Sequence, residues 1–545
     1  MSVTVIYDLP MKTRDGVTLY SSVYLPDRFG KYPLIVLRSP YDADTPGYSS
    51  YCADFCKQGL GVLCQSVRGT GPSEGEFDPC RQEFYDGEDF LEWVRNLDFC
   101  DGNIVTNGES YPGHTQWQLA RHGKDVLKGI TPHNAPLNLF PLALRRGGAF
   151  CCGMGYCWAL SMRKRRLHDE TKVDWSAIHK HLPMNTKDVA AGLEPWDVWR
   201  KWMAHPCDGE FWRGASDAKS DIGKVTAAAF ITGGWFDVFL KDTLDGFATL
   251  RKTGASKVAR EYTRCVMEPL DHDMRTYDVD YGENHLAGII QTRAEFMENI
   301  LKHPEEDPLP GQPVMRYFVM GSNEWRETDE WPLKETVYTP FYLHGSGGID
   351  AVEPTAEETD DSFTYDPENP VPTLGGNHLG FVKAGQRIQT EIESRDDVLI
   401  YTSEPLTEDL DVIGYVRAKL FAATDGPDTD FTVKLCDVTE DGISRNICDG
   451  IIRARFRNGQ EKEELLQPGK VYEYDIDCWA TAWTFKAGHR IRIQVSSSNF
   501  PAFDRNTNTG LHLTESSEVR VAKQTICHKS GAASCIILPV IPKTV

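Results

Sequence analysis

No apolar run in these 545 residues approaches the length of a membrane span, so a helical membrane protein is not expected. The opening residues Met1 to Asp8 lack a basic segment followed by an apolar one, which argues against a cleaved secretion signal and for the cytoplasm. Positive charge is scarce. Lys and Arg number 58 against 80 Asp and Glu, a net charge of -22 that disfavours nucleic acid and anionic membranes as partners. The 15 cysteines show no repeated C-x-x-C spacing, and their odd number without a signal reads as free thiols rather than a disulfide frame. Cys52 with Cys56, and Cys151-Cys152 with Cys157, read as small core hydrophobes instead of half-built metal sites. Internal repeats and low-complexity tracts are missing as well.

What remains is an ordinary globular composition, 40% apolar and 25% charged, in a chain long enough for two or three domains. Strand-like and helix-like runs alternate as far as about Asn134: Val17 to Tyr24, Pro33 to Arg38, Gly61 to Ser66, a helix over Glu83 to Leu97, then Asn103 to Asn107. This alternation predicts a doubly wound α/β sheet. Residues 135–223 are rich in tryptophan and helical charge patterns and read as an inserted helical cap, after which the sheet resumes over 224–307 with strands Val225 to Ile231 and Tyr262 to Met267. From 308 to 545 short β-branched and aromatic runs alternate with Gly, Pro, Asn and Asp turns, the spacing of a jelly-roll β-sandwich. The acidic stretch Glu353 to Asp361 reads as a solvated loop.

Gly108-Glu109-Ser110-Tyr111-Pro112-Gly113 stands between a strand and a helix-compatible run, where a serine flanked by glycines reads as a nucleophile elbow. Pro112 occupies the usual second glycine position, and the glycine follows one residue later. In an α/β-hydrolase sheet the order is serine, acid, histidine, with each on a loop at a strand end. Ser110, Asp237 in Gly233-Gly234-Trp235-Phe236-Asp237, and His272 in Asp271-His272-Asp273 supply that order. Asp271 and Asp273 compete with Asp237 as the acid, but neighbours in sequence on a loop point apart. Arg68-Gly69-Thr70-Gly71-Pro72 lacks the Lys-Ser/Thr pair of a P-loop and reads as a tight loop.

Further motifs carry a family resemblance: Arg14 to Leu19, Arg38-Ser39-Pro40-Tyr41, Val67 to Gly75, and Gly108 to Gly113 with Thr115-Gln116-Trp117. It continues through His181-Leu182-Pro183, Trp199 to Trp202 with His205-Pro206, Phe211-Trp212, Met320 to Trp325, Trp331-Pro332, Asp366-Pro367, Ala480 to Arg492 and Ser496 to Gly510. Together they resemble the cocaine esterase and glutaryl acylase family, which is related to the X-Pro dipeptidyl-peptidases. The resemblance implies Ser110 as nucleophile, Asp237 as acid and His272 as base. It also implies an oxyanion hole made by the Tyr41 phenol and the backbone N–H of Tyr111. One departure is Glu268-Pro269-Leu270 before Asp271-His272, where the family often has Gly-Pro-Trp.

These features point to a serine hydrolase that cleaves a small-molecule ester or amide through an acyl-enzyme, with no metal or organic cofactor. A homo-oligomer is compatible with them. An X-Pro dipeptidyl-peptidase or α-amino-acid ester hydrolase needs carboxylates for a substrate ammonium, and Asp169, Glu170, Asp208 and Glu210 are the candidates. Arg163-Lys164-Arg165-Arg166 could attract an acidic acyl group, although a solvated helix face accounts for it as well. A carbohydrate-binding or scaffold protein is the reading from another class, since jelly rolls also occur in lectins.

Overall fold

The computed structural model describes residues 3–27, 29–41, 46–140, 145–163, 165, 173–213, 217–277, 279–380 and 384–543. Its first half is built on a ten-stranded sheet in the order β1-β2-β4-β3-β5-β6-β9-β10-β11-β12. The strands are β1 (Thr4–Lys12), β2 (Thr18–Leu25), β3 (Tyr32–Ser39), β4 (Gly61–Ser66), β5 (Cys100–Glu109) and β6 (Leu127–His133). After the short hairpin β7 (Arg145–Arg146) and β8 (Ala149–Phe150) come β9 (Ala228–Phe236), β10 (Arg264–Asp271), β11 (Met315–Val319) and β12 (Glu324–Thr328). From β4 to β11 neighbours run parallel, and both sheet faces are covered. That burial is why β4 and β9 read as continuous apolar or small-residue runs rather than alternating ones. Crossovers are made by α1 (Pro46–Lys57), α2 (Glu83–Val94) and α3 (Tyr111–Ala120).

Among the described residues between β6 and β9 lie the hairpin and four short α-helices, α4 (Cys152–Ser161), α5 (Trp175–Lys180), α6 (Lys187–Ala190) and α7 (Asp197–Ala204). Trp199, Trp202 and Trp212 are buried there in a cluster with Tyr111, Met154, Tyr156 and Phe239, so this stretch packs over the Ser110 end of the sheet. Then α8 (Leu240–Thr253), α9 (Lys257–Glu261) and α10 (Ile289–Lys302) complete the layers. The C-terminal half is β-rich, with a seven-stranded and a four-stranded antiparallel sheet. One apolar core runs from Trp117 and Phe247 through Trp235, Phe318 and Trp331 to Val412, Phe431 and Ile476, so both halves share a buried seam.

Two expectations need correcting. The strand at Arg316 to Met320, assigned to the β-rich part by a boundary at 308, pairs instead beside β10, and β12 pairs onto β11. A β-branched, aromatic run states that a strand forms but not which edge accepts it. Gly233-Gly234 is not a loop: β9 runs through it to Phe236. A Cβ on Gly234 would lie 2.1 Å from Leu270 O, so the glycine serves close strand packing rather than a turn.

Arg68-Gly69-Thr70-Gly71 is a tight loop, since a Cβ on Gly69 would meet Phe77 N at 2.2 Å. Within it Arg68 grips Asp86 through Nε at 2.9 Å and Nη2 at 2.6 Å, and reaches Asp15 through Nη1 at 2.8 Å. Removing one partner of a buried pair leaves the other charge uncompensated. Arg68→Met should therefore destabilise the fold by about 3–5 kcal/mol, and Arg68→Met/Asp86→Leu should recover much of the loss. Urea unfolding followed by tryptophan fluorescence checks both, and a midpoint unchanged in the single variant contradicts this account.

Candidate active site

β5 ends at Glu109 and α3 begins at Tyr111, so Ser110 alone makes the turn, with φ 62° and ψ -123°. For a residue with a Cβ this conformation is uphill by about 1–3 kcal/mol, and it needs support from its surroundings. The Ser110 N–H donates to His133 O at 2.9 Å, and Ser110 O accepts from the amides of Gly113 and His114 at 2.9 and 3.0 Å. The glycines explain the displaced motif. A Cβ on Gly108, at φ 151°, would lie 2.4 Å from Pro112 Cβ, and one on Gly113 would lie 2.4 Å from Ala135 Cβ. It is position 113, not 112, that faces the loop after β6.

Asp237 and His272 follow directly on the ends of β9 and β10. The His272 Nδ1–H donates to Asp237 Oδ2 at 2.5 Å, with both residues buried. Asp237 Oδ1 also accepts from the Phe239 amide at 2.6 Å, which fixes the carboxylate plane. Burial pulls the His272 imidazole down, but the charge and hydrogen bond of Asp237 outweigh it and hold the imidazole up at about 8. Asp271 Oδ1 accepts from the amides of Asp273 and Arg275 at 3.0 and 2.8 Å, and Asp273 pairs with Arg275 at 3.4 Å. Both competing carboxylates therefore serve the turn, and the one on His272 is Asp237.

Tyr41 lies two residues beyond the end of β3, and its hydroxyl accepts from Trp158 Nε1 at 3.0 Å and hydrogen-bonds the Ser110 side chain. Burial lifts the phenol to about 12 against the opposing hydrogen bonds from Trp158 and Ser110, so it stays protonated and able to donate. Tyr111 opens α3, and its amide is one of those that helix geometry leaves without an intrahelical acceptor. Its own phenol is tied off, donating to Glu83 Oε1 at 3.1 Å and accepting from Cys80 N at 2.9 Å.

Among the described residues no hydrogen bond joins Ser110 to His272. Such bonds tighten when substrate fills the site. The two follow the ends of β5 and β10 on the same edge of the parallel sheet, with β6 and β9 between them.

Several residues around this site carry no sequence signal. Trp158 on α4 stacks on Tyr111, with ring centroids 5.7 Å apart, while it holds Tyr41. Phe239 meets the His272 ring edge-on at 5.4 Å. Only the tryptophan content of 135–223 hints at the first, and nothing local hints at the second. Of the candidate substrate carboxylates, Asp208 is paired with Arg213 at 3.1 Å and Glu210 is exposed, whereas Asp169 and Glu170 lie outside the described residues. Arg163 Nη1 donates to Leu160 O at 2.9 Å, and Arg165 is bound to the backbone oxygens of Ser73 and Gly75. Lys164 and Arg166 lie outside the described residues.

Residues 15–273 match the model of the X-Pro dipeptidyl-peptidase (S15 family), and residues 311–537 match that of the X-Pro dipeptidyl-peptidase C-terminal non-catalytic domain. The cocaine esterase of Rhodococcus sp. (strain MB1 Bresler) is 35% identical over 97% of this chain and 97% of its own length. Two solved structures share the fold over 99% of the chain. An aminopeptidase from a marine sediment archaeon, Thaumarchaeota archaeon, has a TM-score of 0.85 at 24% identity over 97% of its chain. An α-amino acid ester hydrolase has a TM-score of 0.83 at 22% identity over 96% of its chain. The chain thus belongs to the cocaine esterase-like family of serine hydrolases, related to the S15 X-Pro dipeptidyl-peptidases.

Proposed function

We propose that this enzyme hydrolyses carboxylic esters of small, uncharged acyl groups through an acyl-enzyme formed on Ser110. The observation that carries the reading is the buried Asp237–His272 pair, which lies on the same edge of the sheet as a serine held in an elbow. Because Nδ1 of His272 is committed to Asp237, Nε2 is left to act as base. As Ser110 Oγ bonds to the acyl carbon, its proton passes to Nε2 and the carbonyl π electrons move onto oxygen. The Tyr41 phenol and Tyr111 amide are the donors for that oxyanion. Its collapse breaks the bond to the alcohol oxygen, which takes the proton from Nε2. Water then repeats the sequence on the acyl-enzyme and restores Ser110.

Esters of uncharged acids are favoured over amino-acid derivatives by the residues around the pair. Val238-Phe239-Leu240 follows Asp237 as a buried apolar run, and Asp208 is spent on Arg213. The cocaine esterase relative supports the same preference. In this reading the helices of 152–204 form a cap over Ser110, supported by the reach of Trp158 to Tyr41, and the two C-terminal sheets form a jelly-roll sandwich. The setting is cytoplasmic. Among the described residues, no helix is long and apolar enough to cross a membrane.

Ser110→Ala should cost about 10⁶ in kcat on an aryl ester, and a loss under tenfold removes the nucleophile assignment. Asp237→Asn should cost about 10⁴, whereas Asp271→Asn and Asp273→Asn should stay within about tenfold; the reverse order would name another acid. Tyr41→Phe is expected to lower kcat roughly 10² to 10³ with KM little changed, measured by steady-state kinetics alongside circular dichroism. Since His272 must be neutral to accept a proton, kcat/KM should rise with pH on a limb near 8 and be about 100-fold below its plateau at pH 6. A limb at about 6.5, the ordinary histidine value, would show that Asp237 does not hold the imidazolium.

A further inference from the structure

The last residues of β9 stay in the sheet, but with their ladder interrupted. Pairing to β6 ends at Thr232, where β6 turns away, and pairing to β10 slips between Glu268 and Asp271. Asp237 comes directly after this stretch, so its placement depends on what holds the strand end. A side chain from the other half of the molecule does so. Asn377 Nδ2 donates to Trp235 O at 2.7 Å and to Asp237 O at 3.2 Å, both fully buried. One amide group thus bridges two alternate carbonyls, as a neighbouring strand would.

Asn377 is itself held firmly. Gly376 and Gly385 exchange backbone hydrogen bonds at 2.8 and 3.0 Å, which fastens the segment before Asn377. A Cβ on Gly376, at φ 106°, would lie 2.8 Å from both Asp449 Oδ1 and His378 Nε2, so only glycine lets the chain approach this closely. The backbone oxygen of Asn377 accepts from Arg146 Nη2 at 3.1 Å, and the Arg146 guanidinium lies 3.6 Å over the Trp479 ring. The grip on Trp235 and Asp237 is therefore anchored in the C-terminal sheets, in the region that matches a non-catalytic domain.

We infer that Asn377 is a positioning residue for the reaction, holding Asp237 against His272 from the β-rich half through the carbonyls of Trp235 and Asp237. This rests on Asp237 being the acid, as proposed above. Misplacement of a reacting group by about an ångström can cost about 100-fold in rate, and the loss falls on the chemical step rather than on substrate binding. Asn377→Ala in the full-length enzyme should lower kcat about 10- to 100-fold with KM unchanged. The acid limb of kcat/KM should move from about 8 towards the ordinary histidine value of about 6.5, because a loosened Asp237 no longer stabilises the imidazolium. A merely structural role would lower the melting temperature without moving that limb.

Asn377→Asp keeps the volume while replacing the donor by an acceptor, and it should show the same two changes if Asn377→Ala fails to fold. In an Asp237→Asn background Asn377→Ala should add less than about threefold, since residues that act through one another are not additive. A folded Asn377→Ala or Asn377→Asp enzyme with unchanged kcat and an unmoved limb overturns the inference, as does full additivity with Asp237→Asn. If Asp237→Asn alone keeps its activity, the assignment of the acid fails, and the inference fails with it for that separate reason.

Discussion

A serine forced to φ 62° is the constraint from which the rest of this architecture follows. The turn lifts the side chain clear of the sheet, but it stands only if its backbone groups are satisfied and its neighbours come close. His133 O takes its amide, and Gly113 and His114 take its carbonyl into the first turn of α3. Gln116 fastens the assembly by donating to Gly108 O at 3.0 Å and accepting from Thr131 N at 2.7 Å, which ties α3 to β5 and β6 together. Two glycines give the room. Strain at one residue is thereby spread over three elements, each of which is stable for its own reasons.

The second requirement is electrostatic. A fully buried carboxylate is tolerated only when paired and hydrogen-bonded, and Asp237 has the His272 imidazole on one oxygen and the Phe239 amide on the other. Against that burial the charge and hydrogen bond of Asp237 raise the imidazole's affinity for a proton, whereas at Tyr41 burial itself keeps the phenol from ionising.

What the sequence made legible is local. The strand–serine–helix turn, the order Ser110, Asp237, His272 and the strands β2 to β5, β9 and β10 are carried by short-range patterns of period and glycine placement, and those strands lie within a few residues of where the patterns put them, whereas β1, β6 and β12 left no such pattern. What it hid is long-range. Gly233-Gly234 reads as a loop because the Leu270 carbonyl packed against it is 36 residues away in the chain, and β11 reads as part of the sandwich because its partner edge is not written in its own residues. Trp158 and Asn377 are ordinary in sequence. Their importance arises only when Tyr41, 117 residues away from the first, and Trp235, 142 away from the second, are brought beside them.

The pairing of β11 onto β10 bears on how the molecule can be dissected. Composition changes near residue 308, and that would be the natural place to cut out a minimal hydrolase. Such a fragment would lose β11 and β12 and uncover β10 along Cys265 to Met267, with unpaired amides and carbonyls on the strand that delivers His272. An exposed, apolar, parallel strand is a template for pairing with other chains. The apolar seam that continues through Phe318 and Trp331 would be laid open with it. The smallest unit able to keep its own edges covered is thus larger than the α/β pattern suggests, and the two halves are separable in composition but not in sheet.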